Sequence, residues 1–338
     1  NNLGACYLVK NDLESAKRYF IQSYKLNPDD VTTINNLASI KIAKKEFLEA
    51  QMLLERALEK KTSTEITYTN FGVFHISQNQ YNEAIDYLNK ALEVNNKYTP
   101  AYNFLGMIHL NLLHIEEAIY CFEKVREIDP YLITAINNLG LAYQYAGNID
   151  KAIELYNEAI KRNPKIYFSY SNLGLIELEY KQNLDKALEL FMKAFDLFPK
   201  DPTVLFNIGQ TYYLMNMKDI AVEWYKKAIE LNPDHPMALN MLGMLEYEKD
   251  NLDTAQEFFE KAINANPIFQ LAMNNLALVY ASKGNFEQAV EILEKALEIN
   301  DKFLIAWQNL ADIKEAMGDK RGAKEAAKRV KEIERTLL

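Results

Sequence analysis

The sequence predicts an all-α fold, a right-handed α-solenoid (superhelix) of about ten helix-turn-helix units, and three observations carry that expectation. Glycine recurs at a fixed interval: Gly72, Gly106, Gly140 and Gly174 lie 34 residues apart, as do Gly209 and Gly243, with Gly4 and Ala38 before them and Ala277 and Ala311 after. Alanine follows the same period at Ala16, Ala50, Ala84, Ala118 and Ala152, then at Ala221, Ala255, Ala289 and Ala323. Finally, 11 Gly and 9 Pro in 338 residues are too few turns for an all-β chain and sparse for an α/β enzyme. A fixed period of this size marks a solenoid of small supersecondary units.

The elements follow in order within each unit. Between Ile133 and Tyr145 apolar residues recur at helical spacing, and a second amphipathic stretch runs from Asp150 to Lys161. Ala146-Gly147-Asn148 between them is a helix stop, because Gly and Asn tolerate the left-handed conformation. Asp150 and its counterparts Asn82, Asp185, Asp253 and Asp319 suit the first turn or N-cap of the second helix. Gly or Ala on the first helix and Ala on the second let the paired axes approach. Pro164 ends the second helix, since proline lacks a donor and clashes with the preceding turn; Pro28, Pro130, Pro199, Pro233 and Pro267 hold the same phase. One pair cannot bury its apolar face alone, so neighbours stack into a single solenoid over 1–338. Its units are 1–30 (clipped), 31–64, 65–98, 99–132, 133–166, 167–201, 202–235, 236–269, 270–303 and 304–338, the last with a cap helix.

Leu139-Gly140, Tyr143, Ala152, Tyr156, Ala159 and Pro164, and again Leu3-Gly4, Tyr7, Ala16, Phe20 and Pro28, resemble the signature of the tetratricopeptide repeat. The resemblance covers all of the chain in ten copies. Three places depart from it. The interval from Gly174 to Ala187 is one residue longer than in neighbouring repeats, with the extra residue near Tyr180-Lys181-Gln182; it is a tolerated loop insertion or a local change of pitch. The junctions at Thr62-Ser63-Thr64 and Asn96-Lys97 lack proline, though Pro100 sits in the next first turn. The last helix, from Asp319 to Leu338, is basic, and Ala327 replaces its usual large residue. It reads as a solvating cap, the alternative being a dock for an acidic partner.

Composition excludes several functions. Lys+Arg 38 against Asp+Glu 47 gives 38 − 47 = −9, which opposes nonspecific binding to nucleic acid or anionic membranes. Apolar runs fall short of a membrane span, so no membrane insertion is expected. Two cysteines, Cys6 and Cys121, make no disulfide framework and favour the cytoplasm. The chain opens at Asn1 inside a repeat, so its natural N-terminus is expected to lie further upstream. Phosphate-binding, zinc-protease, CxxC and nucleophile-elbow motifs are absent, so neither catalysis nor a cofactor is expected. His75 and His109 take the place of Tyr7, Tyr143, Tyr212 and Tyr280 and are read as packing aromatics, not as metal ligands with Cys121.

The candidate binding residues lie on the first helices. Two residues before each Gly or Ala stand Asn2, Asn36, Asn70, Asn138, Asn172, Asn207, Asn275 and Asn309. Phe104 and Met241 break the series, with Asn103 and Asn240 one residue earlier. Asparagine is a poor mid-helix residue, so its repetition needs a cause. In tetratricopeptide proteins this face lines the concave groove, and the series is similar to the asparagine ladder in the repeat arm of O-linked N-acetylglucosamine transferase. The resemblance implies amides that grip an extended peptide backbone, offering donor and acceptor together. The other reading is helix-to-helix hydrogen bonding. Five amides at ~1 kcal/mol each fall short of the ~8 kcal/mol of micromolar binding, so an apolar contribution is needed. Met107, Leu141, Leu175, Met244 and Leu278, one residue after the Gly or Ala, offer an apolar strip, unless they are buried between helices. The carboxylate clamp of chaperone-binding relatives needs Lys or Arg where this chain has Thr32, Ile66, Pro100, Thr134, Phe168, Thr203, Met237, Leu271 and Ile305. Glu179 and Glu248, with Asp312 and Glu315, make an acidic edge suited to a basic ligand, or are solvated charge.

The expected function is therefore a noncatalytic protein-protein interaction scaffold that binds an extended or helical segment. The alternatives are the substrate-recruiting arm of a larger enzyme, such as a glycosyltransferase, and a scaffold that self-associates through its clipped N-terminal end or convex face. Replacing Asn138, Asn172 and Asn207 by Ala is expected to weaken partner binding with little change in thermal stability.

Overall fold

The computed structural model describes residues 1–9, 12–60 and 64–337. Among these residues there are twenty α-helices and no strand, from Asn2–Val9 to Lys320–Leu337. They fall into two compact units, Asn1–Pro164 with repeats one to five and Lys165–Leu338 with repeats six to ten. Within each unit a first helix packs on the second helix of its own repeat, and each second helix packs on the first helix of the next. The fold is an all-helical solenoid of helix-turn-helix repeats.

The two helices of a repeat are buried differently, and their sequences say why. In Ile149–Arg162 the buried residues are Ala152, Leu155, Tyr156 and Ala159, a single stripe at helical spacing. In Ile133–Tyr145 the buried set is Ala135, Ile136, Asn137, Leu139, Gly140, Ala142 and Tyr143, which wraps most of the helix. The first helix is enclosed by its partner and by the neighbouring repeats, leaving one narrow face outside.

Turns between paired helices use a left-handed residue. Gly147, Gly284 and Gly318 supply it without steric cost, whereas Lys45, Asn79, Leu113, Asn216 and Asp250 adopt it with a side chain. The next residues reach back to the first helix, as when Asn148 N–H donates to Tyr143 O at 2.9 Å. In repeat six the left-handed residue is Gln182, and Asn183 N–H donates to Glu177 O at 2.8 Å, one residue further back. The extra residue is thus accommodated in the turn, after the helix Tyr167–Glu179 has ended. Asp150, Asp185 and Asp253 lie in the first turn of their helices. Asn148 and Asn183 supply the side-chain caps, and Asp319 caps the last helix through Gly322 N–H at 2.9 Å.

Second helices end on an extended residue such as Asn163 (φ −139°), the conformation that a following proline enforces. Asn95 adopts it as well (φ −144°), followed by Asn96, so proline is dispensable there. The Thr62-Ser63 junction lies outside the described residues; Thr64 is the N-cap of Glu65–Ile76.

One contact recurs inside the repeats. A methyl group on Gly4, Gly106, Gly140, Gly174, Gly209 or Gly243 would lie 2.5–2.8 Å from the ring of Phe20, Phe122, Tyr156, Phe191, Tyr225 or Phe259 respectively. Those rings are buried to within about a hundredth of their surface. Where the first helix carries Ala38 or Ala277 instead, the residue at the ring position is Leu54 or Leu293, also fully buried. In repeat ten Ala311 stands opposite a register position occupied by Ala327, but Ala327 is exposed and Ala326 is buried in its stead. With no large side chain to fill the gap, the last helix presents Ala326 and Ile333 to the core.

Gly106→Ala is expected to cost about 1–3 kcal/mol by overpacking against Phe122. Phe122→Leu in the same chain is expected to recover a large part of that loss, giving a coupling above ~1 kcal/mol in a denaturation double-mutant cycle. Simple addition of the two losses would refute the contact.

Candidate binding face on the first helices

The asparagines form a network with a definite rule. Asn36 Nδ2 donates to Asn1 Oδ1 at 3.0 Å, Asn138 to Asn103 at 3.1 Å, Asn275 to Asn240 at 2.9 Å and Asn309 to Asn274 at 2.7 Å. Asn70 Nδ2 donates to Asn35 O at 3.2 Å. Each of these five amides thus ties its helix to the preceding repeat, at the residue one position before that repeat's own ladder place. Asn103 and Asn240, which stand beside the two breaks in the series, are acceptors in this scheme. Asn172 is half-buried on the helix Tyr167–Glu179.

The rule fails at three places, where one or both of the paired positions carry another residue type. Phe104 occupies a donor place, and Thr69 Oγ1 at the preceding acceptor place is buried without a partner. Met241 and Phe206 occupy a donor and an acceptor place with apolar groups, leaving nothing unsatisfied. Asn207 is only 4% exposed, the acceptor place before it is Ser171, and its Nδ2 has no hydrogen-bond partner.

Around that third place the second unit holds a hollow of about 700 Å³. Consecutive first helices build it: Leu175, Leu178 and Glu179 from Tyr167–Glu179, Asn207 and Leu214 from Pro202–Leu214, Met237 and Asn240 from Pro236–Glu248, and Leu271 from Gln270–Ser282. Large apolar side chains stand open at it, with Leu214 48%, Met237 51% and Leu271 42% exposed.

The other candidates from the sequence are dispersed. Leu141, Met244 and Leu278 are half-buried, Met244 packing toward the Phe259 and Leu276 core, while Met107 is exposed in the first unit. Glu248 is engaged by Lys218 Nζ at 2.6 Å, which raises the lysine pKa through that hydrogen bond. Leu178, Leu214, Met237 and Leu271 are wall residues that the asparagine and strip positions alone do not reveal. A signal for them existed: Thr203, Asn207, Gln210 and Leu214 lie at i, i+4, i+7 and i+11, one face of one helix.

His235 borders the hollow as an N-cap. Its Nδ1 accepts from Ala238 N–H at 3.2 Å, and its ring stacks on Phe206 at 5.3 Å. Burial pushes its pKa below 6.5, against smaller opposing effects that include the Asp201 charge. His75 stacks on Tyr87 and contacts Gln80, and His109 lies beside His114. Burial lifts the Cys121 thiol to about 11, far from a reactive thiolate. Among the described residues no group of three His, Cys, Asp or Glu is placed to hold a metal, and no helix is long and apolar enough to cross a membrane.

Stacked helix pairs with an open first-helix face define a helical-repeat protein of the interaction type. Sequence models described as tetratricopeptide repeat match residues 1–30, 29–97, 99–131, 133–166, 202–235, 224–257, 246–310 and 280–336, and the chain belongs to the tetratricopeptide repeat family. A Sel1 repeat model matches 171–197. The family is typically a noncatalytic protein-interaction scaffold. No curated protein sequence matches the chain. Among solved structures, yeast Tom70 is similar at 18% identity and TM-score 0.57, over 98% of this chain and 83% of that one. The APC/C hetero-tetramer Cut9-Hcn1 is similar at 18% identity and TM-score 0.62, over 90% and 59%. Pseudomonas aeruginosa pilF gives 20% and 0.54, over 64% and 98%. At these identities the likeness is one of fold.

Because Asn138 ties two repeats together, Asn138→Ala is expected to lower stability by about 0.5–1.5 kcal/mol, read by chemical denaturation. This differs from the near-neutral effect that a freely exposed amide would give. A second expectation concerns pH. The folded protein holds His235 neutral, so as pH falls through 6.5 the unfolded chain gains a proton that the folded chain refuses. The stability contribution is full above that pH and is lost below it. His109, also depressed by burial, acts in the same direction. The thermal midpoint is expected to fall between about pH 7 and about pH 5.5, and by less in His235→Asn, which retains a capping side chain. An identical fall in the variant would exclude the His235 contribution.

Proposed function

We propose that the chain is a noncatalytic scaffold that binds a protein segment on its first-helix face, with most of the affinity residing in the second-unit hollow. The observation that carries this reading is the hollow itself, a set of half-exposed large apolar side chains on consecutive first helices. Exposed apolar surface gathered in one place marks interaction sites on soluble proteins.

The magnitudes fit a releasable partner. Covering Leu178, Leu214, Met237 and Leu271, each already partly buried, contributes on the order of 1 kcal/mol per residue. A comparable amount comes from the side chains of the ligand. Association costs are then subtracted, and micromolar affinity requires ~8 kcal/mol. This places the complex at micromolar strength or weaker unless further repeats engage. The amides at 36, 138, 275 and 309 serve first as ties between repeats, and contribute to a ligand through whatever hydrogen-bonding capacity the ties leave over.

A random peptide library selected on the full chain tests the reading, with a Leu214→Glu/Met237→Glu variant, both half-exposed wall positions, as the counter-target. Enriched peptides are expected to bind the variant at least about tenfold more weakly, with the thermal midpoint of the variant unchanged. Enrichment that survives both substitutions would move binding away from this face.

A further inference from the structure

We infer that a second copy of this chain docks on the second-helix face of the last two repeats. The acidic helix Phe286–Ile299 of each copy lies along the basic helix Lys320–Leu337 of the other.

The last helix is charged against its own dipole. Each of the nine earlier second helices carries an acidic residue in its first turn, such as Asp219, Asp253 and Glu287, where the positive pole of the helix favours it. The helix Lys320–Leu337 has none in that turn and opens on Lys320 and Arg321. Its Asp319 cap offsets part of the cost. A helix needed only to keep the last repeat solvated would gain from the acidic pattern of the others, so the reversal answers to something outside the helix.

Rotation of the helix makes the reversal uniform. The places of Glu287, Glu291 and Glu298, moved on by 34 residues, fall on Arg321, Glu325 and Glu332, a mixed set. Burial of Ala326 in the stead of Ala327 turns the helix by one residue, and Lys320, Lys324 and Lys331 take those outward places. All six side chains are exposed, and each set of three spans an arc of only about 40° on its helix. Glu291 is engaged by Lys295 Nζ at 2.7 Å. Among the described residues the other five have no ion-pair partner. The two helices are neighbours across a hollow of about 500 Å³, walled by Glu294 and Glu298 from one and by Glu325 and Arg329 from the other. As second helices of consecutive repeats they run in the same direction.

Neighbouring stripes of opposite sign select the occupant. A broad anionic surface laid on the lysines would also meet the glutamates beside them. A second copy avoids this conflict. A two-fold axis parallel to the two helices and between them sets each acidic stripe on the basic stripe of the other copy, an isologous contact. The spacing agrees, because 320 − 287, 324 − 291 and 331 − 298 are each 33. Parallel helices therefore bring three opposite charges to the same levels on each side of the axis.

Exposed ion pairs are individually weak and are screened by salt, so the association is expected to be weak and salt-dependent. Sedimentation equilibrium of the full chain, from micromolar to millimolar concentration, measures it. Dimers are expected at about 0.02 M salt, with a dissociation constant at least about tenfold higher at about 0.5 M. Lys320→Glu/Lys324→Glu/Lys331→Glu and Glu287→Lys/Glu291→Lys/Glu298→Lys are each expected to be monomeric. The thermal midpoint of the first is expected to be unchanged or raised, since acids replace bases near a helix N-terminus. An equimolar mixture of the two variants is expected to pair, because each offers the stripe that the other lacks. A monomeric unaltered chain at low salt, association indifferent to salt, dimers of either variant alone, or a mixture that stays monomeric would overturn the inference. So would a monomeric chain whose lysine stripe retains phosphatidylserine vesicles or a polyglutamate peptide, which would give the stripe a different occupant.

Discussion

The rest of the structure depends on the contact between the small residue of each first helix and the large residue of the second. Rings as large as Tyr156 and Tyr225 are fully buried because glycine stands beneath them. Where alanine replaces glycine at 38 and 277, leucine replaces the ring. In these pairs glycine goes with a ring and alanine with leucine, as expected of an interior packed to crystal-like density, while in repeat three Gly72 lies against Leu88. That constraint sets the spacing of each helix pair, and within each unit one repeat then stacks on the next.

Close pairing has a consequence for the outer face. A first helix wrapped by its partner and its neighbours has little surface left, and the residues on that remainder must also hold adjacent first helices in register. Asparagine meets this demand because one amide carries both a donor and an acceptor. Asn240 accepts from Asn275, and Asn274 accepts from Asn309, so the same residue type serves both ends of each tie. A helix propensity cost of several tenths of a kcal/mol per asparagine is offset by a hydrogen bond of ~1 kcal/mol.

The fold was legible in the sequence almost entirely, because periodic glycine, alanine and helix stops each report a local steric demand. Proline was a less faithful guide: Asn95 takes the extended conformation without it. The site was only partly legible. Asn207, Leu175 and Glu179 were identifiable from the register, and the structure brings them to one hollow. Leu178, Leu214, Met237 and Leu271 were not singled out for it. Met237 and Leu271 occupy positions where a carboxylate clamp would need lysine or arginine, and their apolar character there is itself the wall. Whether an amide is free or engaged depends on the residue in the preceding repeat, one position out of register, which a column of identical asparagines does not display. Ala327 shows the same limit, since the last helix turns to bury Ala326 when no large side chain fixes its rotation.

The hollow and the failure of the amide rule coincide. Asn207 lacks its acceptor, and in the next interface Phe206 and Met241 replace both partners. All three residues line the hollow. In a solenoid, stability is close to a sum of repeat and interface contributions, so two adjacent interfaces can give up a tie without unravelling the others. What they give up locally is the hydrogen bond that elsewhere joins neighbouring first helices, and what they present instead is apolar surface around one unsatisfied donor. The phenyl ring of Phe206, seated between Tyr225 and His235, keeps the core closed beneath it. The second unit thus holds together by packing at the place where its polar ties are missing.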